Sequence, residues 1–134
     1  MEMLDLTSFE KSINSLNSII IRFETEGDID LRDAVIQRFG YTYSLSLKML
    51  KRFFKQTALT ADEINGMTFN DIIRTANGFG LLFSNLEVWN EYRLNRNMTS
   101  HTYDEETAKK VITIIPKFKD EAVFLLNKLK EKNL

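Results

Sequence analysis

The sequence predicts an all-α protein, an up-and-down four-helix bundle with one or two short extra helices. Three observations carry this. Apolar residues recur at three- and four-residue spacing through most of the chain, and no alternating apolar/polar run argues for a strand. Breakers are rare among the 134 residues, with five glycines and one proline. Ser or Thr followed three residues later by Glu or Asp recurs close to apolar runs, the pattern of a capping box. The length suits one domain over residues 1–134, and a hydrophobic content of 43% with ten Phe can fill its core.

The first helix is expected from about Thr7 to Phe23, with Thr7 and Glu10 as its box and Phe9, Ile13, Leu16, Ile20 and Phe23 on its inner face. Gly27 is placed to end it in a left-handed cap. The second should start after Asp30 and reach about Gln56, burying Leu31, Val35, Phe39, Tyr43, Leu47, Leu50 and Phe54. Gly40 lies inside it and weakens it by about 1 kcal/mol relative to Ala. Thr60 with Glu63 and Thr68 with Asp71 open two short elements, stapled by Leu59–Ile64 and Met67–Ile72. A further helix is expected from Ser84, boxed by Glu87, carrying Leu86, Trp89, Tyr92 and Arg93 and fading near Asn97, with Trp89 and Tyr92 for core or dimer packing. The last should begin at a Thr102–Glu105 box and carry Val111, Ile114, Ile115, Phe118, Ala122, Leu125, Leu126 and Leu129 to the C-terminus. Pro116 should kink or restart it, because proline removes one backbone donor.

Composition narrows the function. No cysteine is present, which excludes disulfides, thiolate metal sites and a cysteine nucleophile and fits a reducing, cytoplasmic location. No apolar run approaches the roughly 20 residues of a membrane span, and "MEMLDLTSFEK" lacks the order of a secretory signal. The net charge of −1 is not that of a globally basic nucleic-acid binder. Charge is uneven all the same, with a lysine-rich last helix and a smaller basic group, Lys48, Lys51, Arg52 and Lys55. Both groups read first as solvated faces, with an RNA track for the Lys48 stripe and an acidic partner for the last helix as the second readings. Asp28, Asp30 and Asp33 sit at a helix start, where acids complement the dipole, so neither a metal nor a cofactor is expected. "ANGFG" lacks the order of a phosphate-binding loop.

The remaining feature is "RNMTSHTYDEE", a polar cluster holding the chain's only histidine. With Thr102 as N-cap, the free N–H groups of the helix start would converge beside His101 and Tyr103, a natural anion site. Arg96 brings a fork suited to phosphate oxygens. In an unbroken helix, Arg96 and His101 would lie about 140° apart. Joint action therefore needs a break at Met98–Ser100 or a second subunit. An arginine and a histidine without clustered acids suit metal-independent RNA cleavage: the imidazole takes the 2′-OH proton and the guanidinium stabilises charge growing on phosphate. One histidine cannot be both acid and base, so two copies across a dimer would help. The residues alone also permit an ordinary polar helix start.

"RNMTSHTY", an arginine, four residues, a histidine, one residue and a tyrosine, resembles the motif of the HEPN proteins paired with minimal nucleotidyltransferases, first described as nucleotidyltransferase substrate-binding proteins. The likeness extends to "LRDAVIQRFGYTYSLSLKMLKRFF", "WNEYRLNRNMTSHTYDEETA" and the final helix with its Ile-Pro step, so it covers essentially the whole chain. It implies a homodimeric four-helix bundle, the RNase toxin of a toxin–antitoxin pair, with a small nucleotidyltransferase as antitoxin. It implies Arg96 and His101 as catalytic pair, Asn97 as the polar residue that orients them, and Tyr103 as the hydroxyl that the transferase modifies with AMP. The alternative that it leaves open is a non-catalytic substrate- or nucleotide-binding subunit of a two-component nucleotidyltransferase.

Overall fold

The computed structural model describes residues 3–133. Six α-helices follow one another: α1 (Thr7–Glu26), α2 (Ile29–Phe54), α3 (Ala61–Asn65), α4 (Phe69–Gly78), α5 (Leu86–Met98) and α6 (Glu105–Lys132). A 3-10 turn over Thr99–His101 follows α5 directly. The four longest, α1, α2, α5 and α6, form the bundle, and α3 and α4 bridge α2 to α5. Contacts at the helix ends fix the directions. Lys130 pairs with Glu10 at 2.6 Å, so the end of α6 meets the start of α1. Arg32 meets Glu105, so α2 and α6 begin side by side. Arg96 meets Gly40 while Trp89 meets Tyr43, so α5 runs against α2. This is the up-and-down order.

The core sits where α2, α5 and α6 converge. Phe118 packs edge-on against Phe39 and Tyr92 at 5.2 Å and against Trp89 at 6.0 Å, and all four are fully buried. Burial of four such rings, with about 0.5–1.5 kcal/mol more per well-oriented pair, ties the three helices together. None of the described helices is long and apolar enough to cross a membrane.

Helix ends follow their side chains. Gly27 ends α1 at φ 69°, and its N–H reaches the Phe23 carbonyl. This left-handed conformation is open to glycine at little cost. The boxes at Thr60 and Thr68 both form. Three other expected starts do not. The Asp5 carboxylate, not a Thr7 box, accepts the Thr7 N–H, and Glu10 is drawn to Lys130 instead. Asn85, not Ser84, caps α5 by accepting from the Val88 N–H, while the buried carboxylate of Glu121 takes the N–H groups of Phe83 and Ser84. Thr102 does not cap α6. That helix begins at Glu105 behind Asp104, and the Thr102 hydroxyl turns back to the Thr99 carbonyl. α2 likewise starts earlier than Asp30, with Asp28 accepting the Asp30 N–H at 2.7 Å. Pro116 does not restart α6, which runs through it with Ile115 and Phe118 buried on either side.

Candidate functional site

The last turn of α5 and the 3-10 turn carry the motif. α5 stops at Met98, where the Thr99 hydroxyl donates back to the Arg96 carbonyl at 2.8 Å. Such local side-chain bonds compete with helix continuation. The chain then tightens through Thr99, Ser100 and His101 and turns toward α6. The helix is therefore broken between Arg96 and His101.

Arg96 is fixed at two points. Its Nε donates to the Gly40 carbonyl at 3.1 Å, and one terminal nitrogen donates to the Thr99 hydroxyl at 3.3 Å. Gly40 is what lets the guanidinium lie on α2, since a Cβ there would stand 3.1 Å from Arg96 Nε. Around it opens a cleft of about 310 Å³, lined also by Asp33, Gln37, Tyr41, Ser100 and Thr102. Arg93 and Arg96 both act on the Tyr43 hydroxyl, but burial outweighs them and pushes it up to about 12.

His101 and Tyr103 lie on the outer side of the same turn. Their rings meet edge-on with centroids 6.4 Å apart, and Tyr103 is 89% exposed. No hydrogen bond joins Arg96 to His101 among the described residues, and His101 does not line the Arg96 cleft. Asn97 is turned the other way, into a second groove beside Lys48, Lys51 and Arg93. The structure thus brings Arg96 together with Thr99 and Gly40, keeps His101 with Tyr103, and separates Asn97 from both.

The expected anion site at the α6 start is differently arranged. Tyr103 precedes the helix instead of opening it, and Asp104, Glu105 and Glu106 crowd its first turn. Three carboxylates already complement that dipole end, which disfavours an anion there. Glu105 also anchors the segment: Arg32 donates to its two oxygens at 2.7 and 3.0 Å, which holds the Glu105 carboxyl below the usual carboxylate range.

Residues 4–131 match the family model described as nucleotidyltransferase substrate binding protein like. The chain belongs to that family. It is 36% identical to the probable ribonuclease HepT of Haemophilus influenzae, over 98% of this chain and 96% of that protein. A solved Haemophilus influenzae structure, described as the fold of a substrate-binding domain of a nucleotidyltransferase, superposes with a TM-score of 0.86 at 36% identity. It spans 94% of this chain and 99% of that one. A crystal structure from Thermus thermophilus follows at a TM-score of 0.76 and 27% identity, over 90% and 98%. Within this family frame, Gly40 is the site residue that sequence reasoning missed. Its only trace was an unexplained glycine in mid-helix. Lys51 was also not grouped with the motif, because it reaches Asn97 from another helix, α2.

Proposed function

We propose that this protein is the HEPN-type endoribonuclease of a toxin–antitoxin pair, cleaving RNA without a metal. The observation that carries the reading is the break after Met98, which leaves Arg96 fixed over a cleft and His101 presented outward a few residues on. The similarity to a probable ribonuclease over nearly the full chain supports it. In this reading His101 takes the 2′-OH proton, the 2′-oxygen attacks phosphorus, and Arg96 holds the charge that grows on the phosphoryl oxygens. The leaving 5′-oxygen needs a proton from a second acid. A homodimer supplies it as the other copy's His101, which accounts for a histidine facing outward. Asn97 lies in the neighbouring groove and serves substrate positioning there.

A small nucleotidyltransferase is the antitoxin. Its target is the Tyr103 hydroxyl, on the most exposed large hydrophobic side chain among the described residues. Attack of that oxygen on the α-phosphorus of ATP, with pyrophosphate leaving, would put a negative group beside His101 and repel RNA phosphate. The test is RNA cleavage in chelator by wild type, Arg96→Ala and His101→Ala. Wild type should cleave and each variant should lose at least about a hundredfold. A wild type that leaves RNA intact, or cleavage that survives both changes, ends the reading. Similarity to a nucleotidyltransferase substrate-binding domain favours one alternative, a non-catalytic subunit that holds a nucleotide for the transferase. Tight nucleotide binding with a transferase bound and no cleavage would select it.

A further inference from the structure

The second groove lies beside the Arg96 cleft and has about 560 Å³ of space. Its rim carries Lys48, Lys51 and Arg93, and its floor is apolar, with Leu47, Met67 and Phe69. No carboxylate lines it, and none of the three cations is ion-paired among the described residues. In a chain of net charge −1, an uncompensated cluster of this kind is a local choice. Arg93 is already oriented, its guanidinium 4.8 Å over the Phe69 ring.

The groove and the cleft lie one after the other along α2. Asp33, Gln37 and Gly40 line the cleft, Ser44, Lys48 and Lys51 line the groove, and these six follow one another at three- and four-residue intervals. They therefore form one stripe of a helix, about 27 Å long at 1.5 Å per residue. Arg93, Arg96 and Asn97 on α5 flank that stripe from the other side. Arg52 and Lys55, neighbours in sequence, do not line the groove.

We infer that this groove is a single-stranded RNA track that leads the chain into the Arg96 cleft. Lys48, Lys51 and Arg93 hold phosphates and the apolar floor accepts base faces. A cationic rim over an apolar floor is how proteins hold single strands without reading sequence. The inference rests on the nuclease reading of Arg96 and His101.

Binding is measured by fluorescence anisotropy with a short fluorescein-labelled single-stranded RNA, in chelator and on a His101→Ala background so that the probe stays intact. Lys48→Gln/Lys51→Gln/Arg93→Gln should weaken binding about tenfold or more, and the slope of log K against log salt should shrink by about 2, near 0.7 per lost phosphate contact. Lys48→Gln/Lys51→Gln spares the Arg93–Phe69 packing and should shrink it by about 1.4. Lys11→Gln/Lys117→Gln/Lys132→Gln removes as much charge outside the groove and should change affinity less than about twofold. Equal weakening by the groove and control sets overturns the track. So does unchanged RNA binding by the groove variants, including the case in which they lose a co-purifying nucleotidyltransferase instead. The two readings fail separately. If wild type cleaves nothing while the groove variants still lose RNA, the track stands and the nuclease falls. If Arg96-dependent cleavage is intact in the groove variants, the nuclease stands and the track falls.

Discussion

The two halves of α5 are built on different principles. Its first turns carry Trp89 and Tyr92, both fully buried and set edge to face with Phe118. Its last turn carries Arg96 and Asn97, one held by single hydrogen bonds and the other open to a groove. Area burial fixes the first half, and many neighbours share the load. A few directed polar contacts fix the second, and each can be removed alone. Stability should therefore respond at one end of the helix and activity at the other.

The largest expected effect breaks the packed end. Phe118→Ala deletes a ring that touches Phe39, Tyr43, Trp89 and Tyr92. It should destabilise by about 3–5 kcal/mol, read as a lower denaturant midpoint with an unchanged slope. A loss below about 1 kcal/mol would mean that the packed end is not the stabilising one. His101→Ala tests the opposite end. The side chain is exposed, so stability should stay within about 0.5 kcal/mol. Cleavage should fall at least about a hundredfold, about 2.7 kcal/mol of barrier. Equal losses in both measurements would erase the contrast.

Gly40→Ala sharpens it at the junction. Alanine favours a helix interior by about 0.5–1 kcal/mol. Here its Cβ would come within 3.1 Å of Arg96 Nε and push aside a side chain that the Gly40 carbonyl holds. Melting should hold or rise slightly while cleavage drops about tenfold, about 1.4 kcal/mol. A variant that cleaves like wild type would show that the Arg96 tie to α2 is incidental.

These effects track what was legible in the sequence. The bundle and the inward residues of α1, α5 and α6 follow from spacing, because burial rewards any apolar stripe of the right period. The motif was legible from its spacing and from its likeness to HEPN proteins. Helix starts were legible only where nothing distant competed. Thr60–Glu63 and Thr68–Asp71 close their boxes. Glu10 and Glu105 leave theirs for Lys130 and Arg32, 120 and 73 residues away in sequence. Each carboxylate is held instead by a cation from another helix, in two-point fashion for Glu105, and local pattern carries no trace of such a partner. Gly40 is the same case, since the side chain packed against it belongs to an arginine 56 residues later.

The smallest expected effect lies in that Arg32–Glu105 pair, which sets where α6 begins. Arg32 hydrogen bonds hold the Glu105 carboxyl below the usual range. A carboxylate depressed in the folded state adds stability above its unfolded value and loses it as pH falls through the folded one. Glu105 is 56% exposed, so solvent and salt screen the pair. Glu105→Gln should lower Tm at neutral pH by on the order of a degree or two. The gap between wild type and variant should close as pH drops below the carboxylate range, and shrink in high salt. A gap that persists in acid would assign Glu105 to packing instead of charge. In that case the packing of the Glu105 side chain, beside the Thr102–Thr99 and Asp104–His101 bonds, and not its charge, would hold the segment carrying His101, and any loss of cleavage in Glu105→Gln would be the same at every pH.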